Sequence, residues 1–210
     1  MAEDYRLLGC RGCGSFIVEA AFRVAGIAYQ YEEVDYEQPG PARDRLISLN
    51  PLGQVPTLIM PDGSVMTESA AILLLVNDLA PQAGLVPPPG APERARFLRW
   101  LVFLVAAIYP TFTYGDDPKK WLPDPADAAT LRSATDRHRQ KLWRQIEAEI
   151  TPDPWFLGTR FSALDLYVGA MVHWRPRQAW FAEECPKLAA IAVETERLPA
   201  LTPLFRQHFG

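Results

Sequence analysis

The chain has 210 residues, 49 % apolar and 22 % charged, with 21 Lys and Arg against 25 Asp and Glu for a net charge of −4. That length allows one large domain or two modest ones, and the interspersed charges leave no basic face for nucleic acid. The longest apolar runs, Leu101–Tyr109 and Ala70–Val76, fall short of the roughly 20 residues of a membrane helix, so no membrane partner is expected. The acidic start Met1-Ala2-Glu3-Asp4 lacks the basic and apolar regions of a signal peptide, which makes a cytoplasmic location the expectation. Cys10, Cys13 and Cys185 are too few, and odd in number, for a disulfide scaffold. His138, His173 and His208 lie far apart without metal-ligand spacing, and no metal is expected.

In chain order, Tyr5–Leu8 reads as a short strand and Gly9–Gly14 as a glycine-rich turn. Apolar spacing from Phe16 to Val24 predicts a helix over Ser15–Ala25, closed by Gly26 as its C-cap. Ala28–Val34 reads as a strand and Pro41–Leu49 as a short helix or irregular segment. Thr57–Met60 and Ser64–Met66 flank the turn Pro61-Asp62-Gly63, a hairpin signal. Thr67–Leu79 is predicted helical, with Glu68 in its first turn, where the helix dipole favours negative charge. The order β-α-β-α-β-β-α is thioredoxin-like.

Leu85-Val86-Pro87-Pro88-Pro89-Gly90-Ala91-Pro92 is the clearest seam, because proline this dense continues neither a helix nor a central strand. The expected division is residues 1–84 as an α/β domain, 85–92 as linker and 93–210 as an all-α domain. A long helix is predicted over Glu93–Tyr109, ending near Pro110, followed by a polar stretch Gly115–Asp127 and a second long helix over Ala128–Ile150. Phe161-Ser162-Ala163-Leu164-Asp165 predicts a structural N-cap. Ser162 caps the next turn, Asp165 reaches back as in a capping box, and Phe161 meets Leu166 as a hydrophobic staple. The helix that follows is apolar nearly all round. Pro186–Arg197 and Pro199–Phe209 read as closing helices.

Three blocks then carry a resemblance. They are Asn50–Pro56 with Asp62-Gly63 and Glu68-Ser69, Trp155-Phe156-Leu157-Gly158 with Phe161–Asp165, and Cys185-Pro186-Lys187-Leu188 with Arg197-Leu198-Pro199-Ala200. In this order around a proline-rich linker, they resemble the cytosolic glutathione transferases over essentially the whole chain, among the serine- or cysteine-type, bacterial-like members. The resemblance implies a thioredoxin-like first domain, an all-α second domain, glutathione as co-substrate and a homodimer.

It also implies a glutathione grip. Pro56 would be the family's cis-proline, leaving the backbone of Val55 to pair with the peptide like an added strand. Ser69 would take the γ-glutamyl carboxylate at a helix N-terminus, Glu68 the α-ammonium, and Gln54 the glycyl end. Arg43 and Arg45 are both candidates for the glycyl carboxylate. An electrophile pocket would be walled by Arg11 and Gly12 of the turn and by Tyr109 and Tyr114, with Phe112 and Trp121 nearby. Phe97, Trp100, Trp143, Trp174 and Trp180 read as packing residues, and Asp165 as structural.

The family's activating residue stands just after the first strand, within Gly9–Phe16 here. Tyr5 falls too early to serve. Counted forward from the strand, that position is Cys13; counted back from Gly26, it is Gly12. Cys13 comes first as a candidate, Ser15 next and Cys10 third. A serine would donate to the glutathione thiolate, which then attacks an electrophile. A cysteine more naturally forms a mixed disulfide, its thiol activated at a helix N-terminus. Cys10-Arg11-Gly12-Cys13 also has the Cys-x-x-Cys redox spacing, though Cys10 precedes the helix start. Three readings stay open: conjugation of glutathione to an electrophile, glutathione-dependent disulfide exchange through Cys13, and a non-catalytic binding module with the same fold.

Overall fold

The computed structural model describes residues 4–210, so the acidic start at residues 1–3 lies outside the described residues. The chain forms two compact units, one running through Val86 and including Glu194–Gly210, the other spanning Pro87–Val193. The last 17 residues, expected with the all-α domain, therefore belong to the first unit. Aromatic packing accounts for this: Phe205 and Phe209 set their rings 4.6 and 5.1 Å from that of Phe16.

The first unit carries a four-stranded sheet in the order β2-β1-β3-β4, with β1 Tyr5–Gly9, β2 Tyr29–Glu33, β3 Thr57–Ile59 and β4 Val65–Met66. Strand β1 runs parallel to β2 and antiparallel to β3, which pairs antiparallel with β4. Helix α1 (Ser15–Ala25) makes the crossover that parallel β1 and β2 require. It ends where expected, with Gly26 at φ 66°, a left-handed cap that glycine adopts without steric cost. Helices α2 (Pro41–Leu49) and α3 (Ser69–Leu79) complete the thioredoxin-like order. Helix α3 starts two residues later than the sequence indicates. Glu68 stands just before it at φ 66°, outside rather than inside the first turn.

The second unit is helical. Helix α4 (Arg94–Phe103) runs through a π-helical turn at Leu104–Ile108 into α5 (Tyr109–Asp116). The helix expected to stop near Pro110 thus runs 23 residues, from Arg94 to Asp116. The wider turn explains this. The Tyr109 N–H reaches back five residues to the Leu104 carbonyl, and Pro110 follows at a position that needs no N–H. By length and hydropathy this helix could cross a membrane, which the short apolar runs did not indicate. Its buried Phe97, Trp100, Leu101, Leu104, Ile108 and Phe112 make it a core helix of the unit.

Helix α6 (Ala128–Glu149) buries Leu142, Trp143 and Ile146, and α7 (Ala163–Met171) is buried along its whole length. Before α7 the capping box is formed: the Ser162 hydroxyl accepts from Leu164 N–H, and the Asp165 carboxylate accepts from Ser162 N–H at 2.7 Å. Asp165 also accepts from Phe156 N–H at 2.7 Å, tying the preceding loop to the helix. Phe161 packs on Trp155, with ring centroids 5.1 Å apart.

Helix α8 (Gln178–Glu184), absent from the sequence reading, precedes α9 (Pro186–Glu196). The Cys185–Leu188 block gains a physical reason here. Lys187 Nζ donates to the carbonyls of Glu147 and Ile150 at the end of α6, while the Glu147 carboxylate accepts from the first amides of α9. Helix α10 (Thr202–Phe209) closes the chain within the first unit.

Candidate functional site

Sheet register places most of the candidate residues at one end of the first unit. Leu8 pairs with Thr57, and Leu58 pairs with Met66. The chain leaving β1 at Gly9, entering β3 from Pro56 and leaving β4 toward Glu68 therefore passes the same end of the sheet. The N-termini of α1 and α3 start there as well.

The turn before β3 is set by buried Asn50. Its Nδ2 donates to the Gln54 carbonyl at 3.0 Å and to Thr57 Oγ1 at 3.1 Å, and its Oδ1 accepts from Leu52 N–H. Thr57 Oγ1 adds a second bond to the Gln54 carbonyl at 2.8 Å. This fixes the backbone before the cis Val55–Pro56 bond and leaves the Gln54 side chain exposed. Glu68 is exposed too, and Ser69 opens α3. Arg45 is paired with Glu32 at 3.1 Å, while Arg43 has no ion-pair partner among the described residues.

The turn after β1 holds both thiols. Cys10 Sγ and Cys13 Sγ each lie 3.6 Å from the Arg11 carbonyl, and Cys13 Sγ lies 3.8 Å from Tyr36 Oη. The Cys13 thiol hydrogen-bonds to Cys10, which pulls the Cys10 thiol below its ordinary value. The same bond and burial push Cys13 up. The two thiols are thus coupled, and loss of a proton from one makes the second harder to remove. Within the pair Cys10, the last candidate from the sequence, carries the depressed thiol.

Ser15 is fully buried, and its hydroxyl is committed to the turn. It accepts from Cys10 N–H at 3.0 Å and donates to the Cys10 carbonyl at 3.1 Å. Gly9 allows this closure, since a Cβ there would come within 2.7 Å of both Ser15 Oγ and the Tyr31 ring. Arg11 is exposed and pairs with Glu33. Gly12 turns the chain at φ 69°.

One residue of this site escaped the sequence reading. Gly12 N–H donates to His208 Nδ1 at 3.2 Å, and His208 Nε2 lies 3.0 Å from Glu19 Oε2. Leu201, Leu204, Phe205 and His208 share one buried helical face, a spacing that marks His208 as buried; the sequence reading tested that histidine only for metal-ligand spacing.

Tyr109 and Tyr114 lie in the second unit. Tyr109 packs edge-on against Trp174 at 5.6 Å, and the exposed Tyr114 meets Trp121 edge-on at 4.8 Å. Phe97, Trp100 and Trp143 are core residues.

Residues 15–79 match the family model described as "Glutathione S-transferase, N-terminal domain". Over 204 residues the chain is 37 % identical to the uncharacterized GST-like protein YncG of Escherichia coli K12, covering 97 % of this chain and 98 % of that one. Among solved structures, it is similar to a glutathione transferase homolog from Sulfitobacter with bound glutathione, with TM-score 0.83, 21 % identity and full coverage of both chains. A sphingomonad glutathione S-transferase complexed with glutathione gives TM-score 0.78 at 26 % identity, covering 97 % of this chain and 98 % of that one. With the sheet order, the matching N-terminal family model and a relative similar over nearly the whole chain in agreement, the chain belongs to the glutathione transferase superfamily.

Proposed function

We propose that the chain is a glutathione transferase that binds glutathione at the end of the sheet and uses its thiolate to attack an electrophile. The observation that carries this reading is the register. It brings the cis turn at Val55–Pro56, the α3 start at Glu68 and Ser69, and the Cys10–Cys13 turn to one end of one sheet. In this reading the Val55 backbone pairs with the cysteinyl unit of glutathione. Ser69 and the α3 amides hold the γ-glutamyl carboxylate, Glu68 holds the ammonium, and Gln54 contacts the glycyl end. The peptide sulfur then lies toward the cysteine turn. In this reading the Cys13 thiol, which keeps its proton, donates to the glutathione thiolate and stabilises it.

The shared Arg11 carbonyl supports a second reading, thiol–disulfide exchange. A thiolate of the pair attacks the sulfur of a glutathione mixed disulfide, releasing the other thiolate and leaving protein bonded to glutathione. A second glutathione thiolate then attacks that bond, releasing the protein thiolate and glutathione disulfide. Ser15, with both its donor and acceptor roles filled, serves in either case to hold the turn. A cytoplasmic homodimer acting on small molecules, with no nucleic acid, membrane or metal partner, completes the proposal. Leu98 and Val102, one turn apart on α4 and 39 % and 59 % exposed, support the dimer as an uncovered apolar stripe.

The test measures glutathione conjugation to a generic aryl halide and reduction of a glutathione mixed disulfide. Both are run for the wild type, Cys10→Ser, Cys13→Ser and Ser15→Ala. Conjugation by the wild type supports the first reading. Disulfide reduction lost on removal of a turn cysteine supports the second. Neither activity, with glutathione still bound, means a binding module.

A further inference from the structure

The end of the chain reaches back to the cysteine turn. His208 lies 196 residues from Gly12, yet its Nδ1 accepts the Gly12 amide at 3.2 Å. An amide N–H can only donate, so Nδ1 carries the lone pair and the ring proton sits on Nε2. That proton points at Glu19 Oε2, 3.0 Å away. The other Glu19 oxygen accepts from Tyr29 Oη at 2.7 Å, and that hydroxyl accepts from Arg23 Nε at 2.8 Å. The His208 side chain is fully buried, and that of Glu19 is 2 % exposed. A buried carboxylate and imidazole persist only when their hydrogen bonds are filled, and here each has a partner on both sides. Phe205 and Phe209 clamp the same helix on Phe16, so the imidazole has little freedom to leave.

We propose that His208 is a positioning residue for the Cys10–Cys13 turn: held in one tautomer by Glu19, it fixes the Gly12 amide and so sets the reactivity of the two thiols from the last helix of the chain. Gly12 lies between the thiols, next to the Arg11 carbonyl that both sulfurs approach. Rotation of the Arg11–Gly12 peptide would carry that carbonyl away from them. Ser15 holds the turn at Cys10 and His208 holds it at Gly12, two anchors on either side of Arg11. The biological use of this brace rests on the proposed role of the turn in thiol chemistry. The brace itself is tested without glutathione.

The experiment uses the full chain and measures the rate of iodoacetamide alkylation across pH, with peptide mapping to assign modification to Cys10, Cys13 or Cys185. His208→Asn keeps an acceptor at the Nδ1 position and gives up the Glu19 contact. His208→Gln keeps the Glu19 contact and gives up the Gly12 acceptor. The expected result is a change of about fivefold in the turn's alkylation rate for His208→Gln, the equivalent of one lost hydrogen bond, with His208→Asn close to wild type. Equal changes in both variants, or none in His208→Gln, would overturn the proposal. If neither variant folds, a through-hydrogen-bond nitrogen–nitrogen coupling between Gly12 and His208 Nδ1 in the wild type decides it: its presence supports the brace and its absence removes it. A wild type that alkylates as expected but does not bind glutathione by calorimetry would sink the functional reading and leave the brace standing.

Discussion

Replacing Asp165 with alanine should unfold the helical unit's core before any other single change considered. Asp165 accepts the amides of Phe156 and Ser162, each at 2.7 Å, and all three residues are fully buried. Alanine leaves both amides without a partner in the dry interior, at about 1–3 kcal/mol each, or roughly 2–6 kcal/mol together. Domains are held by only about 5–15 kcal/mol. Ser162→Ala removes the hydroxyl that caps the helix and donates to Asp165 but leaves both amide bonds to the carboxylate in place, and should cost about 1 kcal/mol. The carboxyl also has a pH signature. Burial pushes it from 3.8 up to about 7 against the hydrogen bonds it accepts. The folded state therefore retains a proton that the unfolded chain has lost between those values. The resulting stability is full below 3.8 and is lost as pH rises through 7, at up to about 1.4 kcal/mol per pH unit. Urea unfolding followed by far-UV circular dichroism should show a gap between wild type and Asp165→Ala that is wider at pH 4 than at pH 8. A gap independent of pH, or an Asp165→Ala midpoint no lower than that of Ser162→Ala, would refute this account of the carboxylate.

Ser15→Ala should lower stability by about 2 kcal/mol, since it removes both bonds to the Cys10 backbone in a buried position, and an unchanged unfolding midpoint would contradict its structural role. Glu68 at φ 66° separates binding from folding: Glu68→Gly should raise the melting temperature while weakening glutathione about tenfold by calorimetry, and Glu68→Ala should weaken it without the gain. Cys13→Ala should raise the pH at which Cys10 alkylates, whereas Cys13→Ser, which keeps a donor, should change it less; equal profiles would show that the two thiols do not share a proton. Val102→Glu on the exposed stripe of α4 should convert the proposed dimer to monomer in sedimentation, with circular dichroism unchanged.

The elements easiest to read from sequence were those whose signals are local. The apolar spacing from Phe16 to Val24 and the following Gly26 gave both ends of α1, and the Ser162–Asp165 spacing gave the α7 cap. Signals failed where the deciding contact is remote. Pro110 reads as a helix stop, but a π turn upstream frees it of the need for an N–H. The α10 helix was foreseen while its placement was not, because docking on Phe16 is set by aromatic contacts across nearly 190 residues. The cis turn at Pro56 and the start of α3 were legible because a proline turn and an acidic helix start leave marks in the chain. The ordering of Cys10, Cys13 and Ser15 was not, since it depends on which groups the folded turn has already occupied. His208 lay furthest from view: only the fold brings it to Gly12 and Glu19.

Glutathione is proposed to lie across the end of the sheet with its sulfur at the cysteine turn. Backbone amide resonances followed by NMR during titration with reduced glutathione test it most directly. Saturable shifts should appear at Val55, Ser69 and the residues of the Cys10–Cys13 turn, and be absent from the far end of the sheet. A titration without saturable shifts, or with shifts confined to other surfaces, would contradict the claim.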